Sequence, residues 1–365
     1  MKELIYWLWF MSLEKVSIKQ KNILLEKFES PEVIFSLSSD TLRKTNIIDQ
    51  ETVDFVCHVR SLDKARHDLL VMEQNNIHLI TRYDSEFPNS LTNLYTPPLG
   101  LYAKGDRSLM KAPLTIGIIG SRNPTVAGEK YAKLFSQSLS SRGVTIVSGL
   151  ADGIDGKSHW GSVNELGSTI GVLGTGIDIC YPRVNKKLFE LMAEKALIIT
   201  EFNLGQKPLP YHFPQRNRII SGLSQGVLVI EARKKSGSLI TVNHALEQGK
   251  NIYVIPGDIG GANWAGGNQL LKDGAKLVTD PNDILEDYII FDQTAKNSEE
   301  SNDQSIAKMA TAEEQQLFDL IRKGYRTIDE LVACSGLPIS QVNSLLTMME
   351  IGEIILIEYG NIVLI

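Results

Sequence analysis

The stretch TIGIIGSRNPTVAG, residues 115–128, ends an apolar run in Gly120, Ser121 and Arg122 before a helical pattern begins. Glycine lets backbone approach a ligand closely, a serine hydroxyl donates, and guanidinium is a permanently charged fork matched to phosphate. The helix, whose start falls near Thr125 or Val126, is expected to aim its unpaired N–H groups at the same place. These are the parts of an anion site. A dinucleotide site needs G-x-G-x-x-G and a carboxylate at the tip of the second strand. Here the turn reads Gly117-Ile-Ile-Gly120-Ser121-Arg122, and the second strand ends in Ser148-Gly149 without a carboxylate, which argues against NAD and NADP. The absence of GxxxxGK[ST] argues against an ATP-driven motor.

Ligands of open α/β sheets sit beyond the carboxyl ends of the strands, so other basic residues at strand ends extend the candidate site. The third apolar run leads into Arg183, Asn185, Lys186 and Lys187, the fourth into Arg216, Asn217 and Arg218, and the fifth into Arg233, Lys234, Lys235 and Ser236. Cations on one rim suit the spaced phosphates of a flexible strand better than one small ligand. Arg122 and Arg183, at switch-point turns, are read as ligand contacts. Arg216 or Arg218 could instead form a structural ion pair with Glu231 or Glu201, and Lys234 and Lys235 are read as solvated. Tyr181, Tyr211 and Phe213 could stack bases or belong to the core, and Phe189 is read as core. Asp155 and His159 share a helix face and could form an acid/base pair or two metal ligands. No third ligand lies at a suitable spacing, so the reading is a cap and a packed imidazole, with no catalytic residue and no metal.

These residues need a scaffold. Six apolar runs between 114 and 257 (LTIGII, VTIVSG, STIGVL, ALIIT, GVLVIEA, NIYVIPG) alternate with helical patterns. That pattern predicts an α/β fold: a doubly wound parallel, extended Rossmann-like sheet over residues 83–290. Residues 1–82 read as a small helical, SAM-like domain with candidate caps Ser17, Ser30 and Asp40. The Pro- and aromatic-rich segment after it reads as an extended bridge. Polar residues 291–310 read as a linker, and 311–365 as three helices and two strands, a winged-helix outline. Leu345, Leu346, Met348 and Met349 are read as its core.

The 365 residues carry a net charge of −6, but from Phe291 onward the net is −7, so the remainder is slightly positive. The third helix of the tail offers Gln341 and Asn343 but no Lys or Arg, which favours a protein contact or a regulatory role over DNA binding. No apolar stretch approaches the length of a membrane span, Glu3 and Glu14 spoil a signal peptide, and three scattered cysteines point to reduced thiols and a cytoplasmic location.

The motifs GSRNPTVAG, IVSGLADGID, GTGIDICYPRVN, FPQRNRIISGLS and SGSLITVNHALEQGK, preceded by PPLGLYAKG, resemble the DNA-processing protein DprA (Smf) family, in order from about Ile77 to Tyr288. The resemblance implies a non-enzymatic single-stranded-DNA-binding protein of natural transformation. Such a protein protects incoming strands, helps load RecA recombinase onto them, and acts as a homodimer through its Rossmann-like domain without a cofactor. Family DNA contacts carry over to Gly120, Ser121, Arg122, Arg183, Asn185 and the Arg216-Asn217-Arg218 motif. With Lys186 and Ser236 from the strand ends, these form the candidate site. The chain departs from the family pattern at Ala265 and Gly266 and at Ser158, and it has VSIKQ where a DNA-binding hairpin would place a glycine-rich turn. The rival reading is a nucleotide-hydrolysing enzyme of the lysine-decarboxylase-like class, suggested by SGSLIT, Glu247 and PGDIGG, although that class's P-G-G-x-G-T signature is missing. A third reading is a structural adaptor acting through the two flanking domains.

Overall fold

A computed structural model describes residues 2–288, 311–322, 325, 327–351, 355–358 and 361–364. The segment read as a linker, 291–310, lies outside the described residues. Chain contacts separate two compact units, with the boundary falling within that segment.

The first unit is built on a nine-stranded sheet in the order β1-β2-β6-β5-β4-β3-β7-β8-β9. Its parallel part comprises β3 (Thr115–Ile119), β4 (Thr145–Ser148), β5 (Thr169–Val172), β6 (Leu197–Thr200), β7 (Gly226–Val229), β8 (Asn251–Val254) and the short β9 (Lys276–Leu277). The six apolar runs fall on β3 to β8, and β3 to β7 are buried along their whole length. Successive side chains feed opposite faces, as strand geometry requires. Ile116, Ile118, Ile146 and Leu228 join Phe135 and Leu139 of the helix Val126–Ser141. Ile119, Val147, Val227 and Val229 join Ile219 and Val242 from the helices His212–Leu223 and Ser238–Glu247. With helices on both faces, the order reverses between β3 and β7, the switch point at which such sheets open a crevice.

The segment read as an extended bridge contributes a strand. It supplies β2 (Gly100–Gly105), which pairs antiparallel with β6, Tyr102 opposite Thr200, while β1 (His78–Thr81), at the end of the stretch read as helical, pairs antiparallel with β2. The front of the chain is helical, and a single apolar cluster joins Trp7, Leu8, Phe10, Leu24 and Leu25 to Tyr102, Leu188, Met192 and Ile198. Ser17 caps Ile18–Phe28 with a reciprocal Gln20 box, and Ser30 caps Pro31–Ser36. Asp40 caps nothing; Ser38 caps the helix Ser39–Lys44, and Asp40 lies in its first turn. A serine two residues earlier supplies the same acceptor with the extended backbone a cap requires.

The second unit has helices Ala312–Arg322, Ile328–Ser335 and Ile339–Ile351, followed by the antiparallel pair β10 (Ile355–Glu358) and β11 (Asn361–Leu364). Leu317, Leu331, Val342, Leu346, Met349 and Ile362 form its core. Leu345 packs against that core, but Met348 faces outward at 60% exposure.

Candidate anion-binding cleft

A cleft of about 570 Å³ opens beyond the carboxyl ends of β3, β4 and β7. Arg122, Arg216, Arg233 and Lys235 line it, and Asp155 is the one carboxylate on its wall. The four cations come from the turns after β3 and β7 and from the helix His212–Leu223, far apart in sequence, and the parallel sheet brings them together.

Arg216 forms the floor. It is 3% exposed, and its Nη1 donates to the carbonyl of Gly149 at 2.7 Å and to that of Val172, so it closes over the ends of β4 and β5. A Cβ at position 149 would lie 2.5 Å from Nη2, which is why a glycine stands there. Burial lowers the pKa of Arg216 to about 10, with Asp155 opposing and Arg122 adding to the shift, so the group stays cationic at neutral pH. Burial pushes the Asp155 carboxyl up, against the pull of Arg216, while its Oδ2 accepts the Gly149 N–H at 3.1 Å.

Arg122 is exposed and lies over the Phe213 ring, 5.3 Å from its centroid. Phe213 in turn lies against Tyr181, with centroids 5.6 Å apart and planes at 37°. Guanidinium, phenyl and phenol thus form a run of planar faces along one wall, the kind of surface on which unpaired bases stack. Among the described residues, no carboxylate comes within 4 Å of Arg122, Arg183, Arg233 or Lys235.

Six of the ten candidate residues line the cleft: Gly120, Ser121, Arg122, Arg216, Asn217 and Ser236. The other four do not. Arg183 and Lys186 are exposed just beyond Tyr181, and Lys186 leans toward Glu190 at 3.7 Å. Asn185 is buried, and its Nδ2 donates to the carbonyls of Leu150 and Ala151 at 3.1 and 3.0 Å, which ties down the turn after β4. Arg218 turns away into an ion pair with Glu201, their side chains 10% and 4% exposed. Lys235, read as solvated, lines the wall, and so do Arg233, Tyr181 and Phe213. Phe189 packs in the core shared with the front helices, whereas Tyr211 is 64% exposed.

The turn after β4 is held from behind. His159 is fully buried; its Nε2 accepts the Leu150 N–H at 3.3 Å and its Nδ1 lies 2.7 Å from the Thr169 hydroxyl. Burial drops its pKa to about 3, so the ring is neutral. This is the packed imidazole expected from the sequence. Leu150 has φ 53°, an uncommon conformation for a leucine, and the His159 contact holds it there. The helix Val126–Ser141 starts where expected, capped by Thr125, but none of residues 124–128 lines the cleft. The buried carboxylate of Glu231 lies at the helix start, accepting both the N–H and the hydroxyl of Thr125. Asn263, which sequence reasoning passed over, binds Glu231, the Asn123 carbonyl and Arg233 together.

Known proteins share this architecture. The DNA recombination-mediator protein A family profile matches residues 78–289, and the DprA winged helix domain profile matches residues 300–357. The chain is 41% identical over 219 residues to the DNA processing protein DprA of Bacillus subtilis, covering 60% of this chain and 74% of that one. It is 38% identical over 287 residues to the protein Smf of Escherichia coli, covering 77% and 75%. The solved structure of DNA processing protein A from Streptococcus pneumoniae superposes with a TM-score of 0.68 at 33% identity, over 77% of this chain and 97% of that one. A structure of the Helicobacter pylori protein, solved to describe its single-stranded DNA binding mode, gives 0.54 at 28% identity, over 58% and 95%.

Proposed function

The chain belongs to the DNA recombination-mediator protein A family, and on that premise we propose that its cleft grips single-stranded DNA. Backbone phosphates meet Arg122, Arg233 and Lys235, with Arg216 charging the floor, while bases stack along Arg122, Phe213 and Tyr181. In this reading the protein acts without catalysis in natural transformation: it shelters incoming strands in the cytoplasm and helps load RecA onto them, as a homodimer through the sheet domain. The observation that carries the reading is a cleft with four cations and one carboxylate, its exposed cations free of any carboxylate within 4 Å among the described residues, beside a continuous planar wall.

A non-catalytic role is supported by the two groups best placed for acid–base work. His159 is locked by two hydrogen bonds, and Asp155 accepts from backbone. Glu247, the carboxylate a hydrolase would need, is absent from the cleft wall and pairs with His244 at 3.5 Å.

The test is fluorescence anisotropy of oligo-dT against duplex of equal length over a range of salt. Arg122→Ala is expected to weaken oligo-dT binding about 10- to 100-fold, as loss of a charge-assisted contact implies. It should also flatten the slope of log affinity against log salt by about 0.7 per phosphate lost. Arg183→Ala, outside the wall, should do less. Unchanged affinity in both variants at moderate salt would rule the reading out.

A further inference from the structure

The helix Val126–Ser141 has 16 residues, and its aligned peptides leave roughly half a positive charge at its start. In doubly wound sheets that start, after the first strand, is where a ligand phosphate docks. Here the place is filled from within. Glu231, two residues past β7 and 0% exposed, accepts the Thr125 N–H at 3.2 and 3.1 Å as well as the Thr125 hydroxyl. Thr125 Oγ1 in turn accepts the Gly128 N–H at 3.1 Å. A Cβ at position 128 would come within 2.4 Å of Glu231 Oε1, so the carboxylate lies directly against the first turn. Asn263 Nδ2 donates to its other oxygen at 3.0 Å. The cleft wall includes Asn123 but nothing from 124 to 128.

We propose that Glu231 is a built-in anion that reserves the helix start and thereby sets the ligand class: the cleft takes internucleotide phosphodiesters from the interior of a strand and offers no seat to a terminal phosphomonoester or a free nucleotide phosphate. The proposal rests on the reading of the cleft as a single-strand grip. A phosphomonoester carries about −1.5 to −2 charge and gains most where several backbone N–H groups converge. A diester carries one charge and is satisfied by one side chain at a time. The cations left in the cleft suit the second case, since Arg122, Arg233 and Lys235 stand on separate positions of the rim. Asn263 is the fastener. It donates to the Asn123 carbonyl at 3.0 Å and accepts from Arg233 Nε at 2.7 Å, so the Arg122 turn, the internal anion and one cation are held as a unit.

The test uses the full chain with labelled oligo-dT carrying either a 5′-hydroxyl or a 5′-phosphate, and with inorganic pyrophosphate and thymidine monophosphate as competitors at matched ionic strength. The native protein is expected to bind the two oligonucleotides indistinguishably and to resist both competitors. Glu231→Gln, which keeps the shape and removes the charge, should raise the ratio of 5′-phosphate to 5′-hydroxyl affinity about tenfold, the scale of an anion at a helix start. Because Glu231→Gln could fail to fold, the backbone amide resonances of Val126, Ala127 and Gly128 in the native protein provide a second readout, and pyrophosphate should leave them unmoved. A native preference for 5′-phosphate, a shift of those amides, or a folded Glu231→Gln that gains nothing would each overturn the proposal. Failure of the native chain to bind either oligonucleotide would instead overturn the single-strand reading, and this proposal with it.

Discussion

Arg216 and Arg218 show how differently two neighbouring arginines can be used. Positions two apart on a helix point about 200° apart, so they cannot serve one target. Arg216 reaches the cleft floor, and Arg218 reaches Glu201 behind it. Arg218→Ala should therefore act on stability: stripping one partner from a buried ion pair costs about 3–5 kcal/mol. Thermal melts should show a large drop in Tm, while oligo-dT affinity per folded molecule stays near native. The sequence placed both arginines at a strand end and left open which one pairs with a carboxylate, because that depends on helix phase relative to the sheet. Arg122 was legible, since a charged residue in a switch-point turn has few structural partners. Glu231 and Asn263 were not, because their partners lie 106 and 32 residues away and no local pattern encodes such pairings.

At the scale of elements, strands buried on both faces announce themselves as apolar runs, and β3 to β8 fell on the expected stretches. β1 and β2 were less legible. An antiparallel pair at a sheet margin needs only short, aromatic-punctuated segments, and its register is set by contacts with β6. The turns between elements are coupled where glycine lets them touch. Gly153 has φ 77°, and a Cβ there would lie 2.3 Å from the Ser121 carbonyl oxygen. Gly153→Ala should push the Ser121-Arg122 turn outward, destabilise by about 1–3 kcal/mol, and weaken oligo-dT binding without removing any charge. Paired melting and anisotropy measurements would check this, and a variant that loses stability but binds like native would disprove the coupling.

At the scale of the molecule, the helical front and the sheet share one apolar cluster, so the first unit is expected to melt as a whole. Lys21 offers a handle on that unit. It is 5% exposed, its Nζ donates to the Met11 carbonyl at 2.8 Å, and burial brings its pKa down to about 7, with Glu14 opposing. Between pH 7 and about 10.5 the unfolded chain holds the proton more tightly than the folded one, so stability should rise with pH by an amount on the order of a few kcal/mol. Lys21→Met should flatten the rise of Tm over that window. An unchanged profile would mean that the lysine is solvated in the folded chain.

The reversal of strand order between β3 and β7 has one further consequence. Neighbouring connections depart to opposite sides there, so the gap is left by the winding itself and does not have to be carved by side chains. On the single-strand reading proposed above, a strand would meet an opening that exists before it, and the ordering cost of association would fall on the strand.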